Sequence, residues 1–581
     1  MMRKYKVFGV GCSILAALTL GACSDWDDHY EAETSLLPSQ KMTLWETIKS
    51  NGELSQFASL LERVGYDKTL GEAQSYTIWA PKNDAPGFDF TTLSGLNDSV
   101  LLNDFVKNHI SRSNTPLTGT NTDLRIYMLN KKVMYLNGTG TYQIQNINLS
   151  TPNIATSNGT LHVLEDKIPF TPNIYESLDT LNPQIYSIAK YFRNYHKFEI
   201  DKNQSTMGPA KNGEITYIDT VFYEGNSLYD LYNAYISSED SSYTMILPSE
   251  KAWEEAKESI KKFYNYIPKF AVLETVQSTE GLKDTTFSVI LRDPEQLRDS
   301  MATRMLVQDL FYNNNLFDNK KLKKLQTGET MTCDSLISTH QTSKGQDKVY
   351  DVKIYKEDAQ ALFNGATRID KSNGAMWLTD HLAMRPWITW NPEIRIEAEA
   401  STALLKTMYC TTETPTIAAG TQNPEVKGHV SNNSYLVANP SYDGAHPDLY
   451  FNLPSIRSTE YCIYVVTVPA NITRVNADTI RHRLQVDINY ANESGSRKNQ
   501  SLGNAFYNDS RIIDTVYVGN FTFPVAYVGT GYKPFIRIRS RVTSQDPWDD
   551  KLRIDCIILR PKALDDYLKA HPDYKYNRGT Y

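Results

Sequence analysis

The chain has 581 residues, 22% charged and 40% hydrophobic, with a formal net charge of −7. That length predicts three or four domains rather than one core, and the composition excludes a largely disordered chain. The acidic balance speaks against nucleic acid, which needs a clustered basic face; the one notable basic run, Lys320, Lys321, Lys323 and Lys324, reads as a solvated helix face or loop.

Residues 1–22 are expected to lie outside the fold. Arg3, Lys4 and Lys6 precede an apolar run, Val7 to Leu20, too short for a stable membrane span. It ends in Leu20-Gly21-Ala22-Cys23, which resembles the bacterial lipobox; the resemblance implies acylation, palmitate included, at Cys23 and a firm lipid anchor. Losing the three leader cations would take the formal charge from −7 to −10. Ser24, Asp25, Trp26, Asp27 and Asp28 resemble the acidic export signal of Bacteroidetes surface lipoproteins. The implied location is the outer membrane, facing the exterior, with residues 23–40 as an acidic tether. Of the remaining cysteines, Cys333, Cys410, Cys462 and Cys556 show no CxxC spacing; a disulfide among the last three is left open.

Residues 41–170 read as one α+β domain. Leu44, Ile48, Leu54, Phe57, Leu60, Leu61 and Val64 recur at helical spacing before Gly65. A β-prone run from Tyr76 to Ala80 closes at Pro81, and Leu101, Leu102, Phe105, Val106, His109 and Ile110 predict an amphipathic helix. Val133 to Leu136 and Tyr142 to Ile147 predict a hairpin turning at Asn137-Gly138. Tyr76-Thr77-Ile78-Trp79-Ala80-Pro81-Lys82-Asn83-Asp84-Ala85 and Asn158-Gly159-Thr160-Leu161-His162-Val163 together resemble the two blocks of the fasciclin domain. The resemblance implies a β-wedge with packed helices and no catalysis. His109 and His162 are expected to be buried, satisfied histidines rather than metal ligands.

Residues 171–385 repeat the order with insertions. Tyr243-Thr244-Met245-Ile246-Leu247-Pro248 answers the Tyr76 run, and Ser372-Asn373-Gly374-Ala375-Met376-Trp377 answers the second block. Ile246 replaces the aromatic and Trp377 stands where His162 stood, so no family contact is carried over. The insertion at about 254–300 carries Phe263, Tyr264, Tyr266, Ile267, Phe270 and Phe287. It is expected either to pack on its own domain or to offer a docking face.

Pro386, Trp387, Trp390 and Pro392 mark a stiff junction. Residues 394–563 then show short strand-like runs with Gly, Pro and Asn breaks, which predict an all-β sandwich. Ile396-Glu397-Ala398-Glu399-Ala400 and Ile554 to Pro561 resemble the ends of the galactose-binding-like jelly roll. Tyr442, His446, Tyr450 and Trp548 are the candidate ligand-binding residues. Asp546, Asp549 and Asp550 read as an exposed acidic turn, not a calcium loop. No metal residues or cofactor are assigned, and residues 564–581 read as a short helix and polar tail.

The fold class expected is therefore multidomain: two fasciclin-like α+β domains followed by a jelly-roll-like sandwich. No nucleophile elbow, phosphate loop or zinc spacing occurs, and the chain is read as non-catalytic. The leading expectation is a surface lipoprotein that captures a glycan or peptide beside a starch-utilisation-like outer-membrane transporter. The alternative is a fasciclin-type adhesin.

Overall fold

A computed structural model describes residues 41–576, apart from stretches within 201–221, 268–292, 317–334, 345–351, 474–479, 528–531 and 543–549. Cys23, Cys333, Phe270, Phe287 and Trp548 thus lie outside the described residues. The chain divides into two compact units between Thr171 and Pro172.

In the first unit, β1 (Tyr76–Pro81) and β7 (Gly159–Leu164) pair in parallel, Tyr76 opposite Gly159 and Trp79 opposite His162. Both strands are buried along their whole length, as apolar runs covered on both faces must be. Between them run β2 (Ile110–Ser111), β3 (Thr120–Tyr127), β4 (Val133–Thr139), β5 (Thr141–Ile144) and β6 (Ile147–Thr156), giving the sheet order β2-β1-β7-β6-β5-β4-β3. Ile78 and Val163 face a helical core with Phe57, Leu61 and Phe105, whereas Trp79 and Leu164 face a second core with Met134, Leu136 and Ile144. A capping box at Thr43 and Glu46 starts the helix Leu44–Ser50.

One local expectation is met in altered form and one fails. Leu101–Val106 is a π-helical stretch followed by a 3-10 turn, not a regular α-helix, because Asn108 and His109 are drawn into the core. Asn137-Gly138 lies inside β4, and the hairpin turns around Gly140 instead, with Thr139 opposite Thr141. Gly138 has φ +133 and a Cβ there would sit 2.0 Å from the Thr141 carbonyl oxygen. The glycine serves close strand approach, not a turn.

The second unit repeats the central pairing. β8 (Tyr243–Pro248) and β11 (Gly374–Thr379) are parallel, with Tyr243 opposite Gly374 and Ile246 opposite Trp377. Flanked by β9 (Phe311–Asn313) and β10 (Thr367–Lys371), they give the order β9-β8-β11-β10.

The sandwich follows. One sheet runs β14 (Cys410–Glu413), β15 (Leu436–Pro440), β22 (Leu552–Pro561), β17 (Glu460–Thr467), β20 (Asp514–Thr522), with β12 (Ile394–Glu397) also on β22. The other runs β13 (Leu404–Met408), β16 (Asp448–Asn452), β21 (Phe535–Ser540), β18 (Arg483–Ala491), β19 (Arg497–Tyr507). Ile463, Val465, Ile557, Val486, Ile488 and Ile538 from the two sheets fill the core between them. Cys410, Cys462 and Cys556 are free thiols.

The front of the 254–300 insertion neither folds back only on its own domain nor forms a free face. The Ser458 amide donates to the Phe263 carbonyl (2.9 Å) and the Ala526 amide to the Asn265 carbonyl (2.7 Å). The Trp390 carbonyl accepts both the Tyr264 hydroxyl (3.2 Å) and Arg457 Nε (2.9 Å). The insertion thus mortises the α+β domain to the sandwich.

The chain end is also built in rather than a polar tail, as far as Tyr576. After the helix Lys562–Ala570, Trp387 Nε1 donates to the Tyr574 hydroxyl (3.1 Å), which donates to Asp358 (2.6 Å). Arg385 bonds the same Asp358 (2.6 Å) and lies 4.4 Å from the Tyr567 ring centre. Tyr576 and Arg560 both donate to Glu393, buried at the junction.

Candidate functional site

Strand alternation sorts the five-stranded sheet. Leu449, Phe451, Val486, Ile488, Ile536 and Ile538 point into the core, so the residues between them form the outer face. Register then aligns that face across strands: Asp448 with Arg539, Tyr450 with Arg537, Asn489 with Phe535, Asp487 with Arg537.

Two carboxylates lie beneath this face, Asp448 at 5% and Asp487 at 1% exposure. Buried carboxylates need partners, and both have them. Arg537 pairs with Asp448; Arg539 Nε stands 3.0 Å from Asp487, which also accepts from the Ser501 hydroxyl at 2.6 Å. Each carboxylate is thereby committed to a guanidinium, an arrangement that holds arginines in place rather than one that shuttles protons.

Aromatic rings fill the spaces. Tyr450 packs on Phe535 (centres 5.6 Å apart) with Arg537 and Lys406 over its ring at 5.4 and 5.8 Å. Arg481 and Arg483 lie 5.0 and 5.6 Å from Tyr507, and Arg497 lies 4.6 Å from Tyr532, whose hydroxyl bonds Asn489. The face combines flat rings, amides and cations.

Of the sequence candidates, Tyr450 stands on this face. Tyr442 and His446 are exposed on the 441–447 loop leading into β16, beside the exposed Tyr409, whose carbonyl accepts the Ser441 amide (3.0 Å). Sequence reading missed Tyr507, Tyr532 and the arginines. A polar strand such as Arg497–Tyr507 carries little periodic signal, although the alternation Arg537, Arg539, Arg541 through Ile536 and Ile538 was available.

The opposite sheet holds a second cluster that sequence reading left unassigned. Oxygens of Glu397, Glu399 and Asp555 lie within 4.8 Å of one another. Pairing of β12 with β22 brings them together, Glu397 opposite Cys556. Ser431 Oγ lies 2.5 Å from Glu397 and 2.6 Å from Asp555. One hydroxyl proton serves only one of those contacts, and the Arg395 guanidinium, with Nε 2.7 Å from Glu397, already supplies one cation beside the cluster. Burial pushes the Asp555 carboxyl up to about 6, despite its bonds from Ser431, with Glu397 adding repulsion; burial also raises Glu399. Clustered hard oxygens of this kind suit Ca²⁺ better than a softer metal. The sequence signal was an acid, Asp555, inside the apolar run Ile554 to Leu559.

The two histidines of the first unit are framework, as their surroundings predict. His109 donates from Nδ1 to the Phe105 carbonyl (2.8 Å) and accepts the Ile168 amide at Nε2 (2.9 Å). His162 accepts the Asn153 amide at Nδ1 (3.1 Å), donates from Nε2 to Thr115 (3.0 Å) and stacks on Trp79 at 4.4 Å. With both nitrogens used by a neutral ring, burial lowers each pKa to about 4.

No curated protein matches the chain. Among solved structures, it is similar to the FAS1 domain pair of the insect cell adhesion molecule fasciclin I, at 13% identity over 58% of this chain and 98% of that one (TM-score 0.19). It is similar to Paenibacillus xanthan lyase at 14% identity over 34% of this chain and 17% of the lyase (TM-score 0.20). It is also similar to the C-terminal family 22 carbohydrate binding module of Clostridium thermocellum Xyn10B, at 12% identity over 29% and 91% (TM-score 0.19). The family model that matches is the Fasciclin domain, over residues 52–169. That segment, whose β1–β7 pairing the second unit repeats, is the part of the chain that resembles the family.

Proposed function

We propose that the chain is a non-catalytic binding protein that captures a glycan on the outer face of the five-stranded sheet. The observation that carries this reading is the set of tyrosine rings, Tyr450, Tyr507 and Tyr532, spread with Asn489 across one strand-built face. Rings offer flat apolar surface to a sugar, and fixed amides supply its hydrogen bonds. The fasciclin domains serve as scaffold and spacer. Lipid on Cys23 anchors the chain to the outer membrane, and the captured ligand is passed to a starch-utilisation-like transporter; this partner rests on analogy from the N-terminal signals.

A glycan and peptide array probed with the chain from residue 24 tests the reading. Glycan binding is expected to fall at least tenfold in Tyr450→Ala, and an array that lights only peptides sinks it. Recovery of a β-barrel transporter from solubilised outer membranes is the expected result for the partner. The duplicated fasciclin architecture favours a second reading, adhesion; loss of cell or matrix attachment on gene deletion, with normal growth on polymers, would select it.

A further inference from the structure

We propose that the glycan held on this face is a polyanion, a polymer carrying carboxylates on its sugar rings. The inference rests on the glycan reading above and sharpens it. Charge complementarity carries it. Asp448 and Asp487 neutralise Arg537 and Arg539 from below. Arg481, Arg483, Arg497, Arg541 and Lys406 have no carboxylate within ion-pair distance among the described residues. Arg541 and Arg483 are neighbours, the Arg541 amide donating to the Arg483 carbonyl at 2.8 Å. A surplus of cations is thus concentrated on one face of a chain whose formal charge is −7.

The arrangement also selects against a generic basic patch. Tyr507 and Tyr532 each have a guanidinium free of any such carboxylate, Arg481 and Arg497, within 5.0 Å of the ring centre, and Tyr450 has Lys406 at 5.8 Å. A sugar stacked on such a ring would present a ring carboxylate to an adjacent guanidinium, whose planar fork matches it bidentately. A neutral sugar would leave that fork to water. Partial shielding by the rings strengthens the attraction relative to a fully exposed pair, while the exposed members keep it salt-dependent.

The test is titration calorimetry of the detergent-solubilised full chain against three uronate polymers: polygalacturonate, alginate and hyaluronan. Methyl-esterified polygalacturonate, a neutral xylan and poly-glutamate are the comparisons. At least one uronate polymer is expected to bind, tenfold or more tighter than its ester or xylan, and to weaken at least tenfold between 50 and 500 mM NaCl. Arg483→Gln and Arg541→Gln should each weaken uronate binding about fivefold with an unchanged melting temperature. Equal binding of acid and ester forms, or binding of xylan alone, overturns the polyanion and leaves the glycan reading standing. Binding of poly-glutamate without any glycan overturns both. Uronate binding untouched by either arginine variant overturns the assignment to this face.

Discussion

The two α+β domains keep the same backbone and disagree about its furnishings. Gly159 has φ +150 and a Cβ there would lie 1.9 Å from the Tyr76 carbonyl oxygen; Gly374 has φ +141 and its Cβ would lie 1.8 Å from that of Tyr243. Before each glycine stands a buried asparagine with the same three bonds. Asn158 accepts the Leu44 amide and donates to Leu70 and Glu72; Asn373 accepts the Ile174 amide and donates to Ile236 and Ser238. Across the same strands, the stacked Trp79 and His162 of one copy become Ile246 and Trp377, with Trp377 set edge-on to Phe363 at 4.9 Å. Where backbone approaches backbone, one residue type fits. Where side chain meets side chain, volume can be redistributed.

The largest effect that would test this contrast is steric. Gly159→Ala and Gly374→Ala are each expected to cost about 4 kcal/mol, since they combine a left-handed backbone with a clash against fixed carbonyl oxygen. Urea titration of each variant measures it, and a cost near that of a surface substitution in either copy would break the equivalence. Next comes acid. The His109 and His162 rings are held near pKa 4 in the folded protein, against an ordinary histidine value of 6.5, chiefly by burial. Between those values only the unfolded chain gains the proton, so stability is level above pH 6.5 and falls as the pH drops toward 4, by about 3 kcal/mol for His109 and less for His162. The corresponding strand position of the second copy is Trp377, so calorimetry from about pH 7 to about 4.5 should show the first unit's transition moving further than that copy's. The sandwich has its own buried histidine, His482, lowered to about 3 by burial, and His109→Gln and His162→Gln variants isolate the first unit's share.

A smaller loss is expected from the shared amide. Asn158→Ala and Asn373→Ala each strand one buried donor and two acceptors and should cost about 2 kcal/mol, equally in both copies. Unequal values, read as midpoint shifts at constant slope, would show that the two sites are alike in geometry only. The smallest effect sets the α+β domains against the sandwich. Saturating Ca²⁺ is expected to stabilise the sandwich by about 1–2 kcal/mol through Glu397, Glu399 and Asp555 and to leave the first unit unmoved. Chelator reversal and loss of the effect in Asp555→Asn check it; a shift in the first unit's transition instead would discard the cluster.

The duplication was legible because it is written in contiguous residues: Tyr76 to Pro81 and Tyr243 to Pro248 carry strand propensity, and Asn-Gly at 158–159 and 373–374 marks a backbone demand that few residue types meet. Less was legible where a local rule competes with burial. Leu101 to Ile110 has helical spacing and is helical as far as His109, yet Asn108 donates to the Ile168 carbonyl and His109 spans Phe105 and Ile168, and the helix takes π and then 3-10 form around those bonds. Asn137-Gly138 has turn chemistry, yet the turn moved to Gly140 because Gly138 was needed for close approach. Tyr450 was named from sequence with Tyr442 and His446 as a possible sugar platform, but the residues beside it on the sheet were not. Arg537 lies far along the chain, in a strand that only register brings beside it, and Tyr507 sits on an edge strand whose exposed, polar pattern hides it.

Contiguous residues were enough to set the duplicated α+β strand runs, the strand-rich region after them and the glycine around which each copy closes, since these depend on propensity and backbone sterics within short windows. Which side chains share a surface is set by packing between distant strands. Register across strands far apart in the chain turns Asp448, Arg537 and Tyr450 into one face, and gathers Glu397, Ser431 and Asp555 into one cluster. A shift of one residue in any of those pairings would send every side chain of that strand to the opposite side.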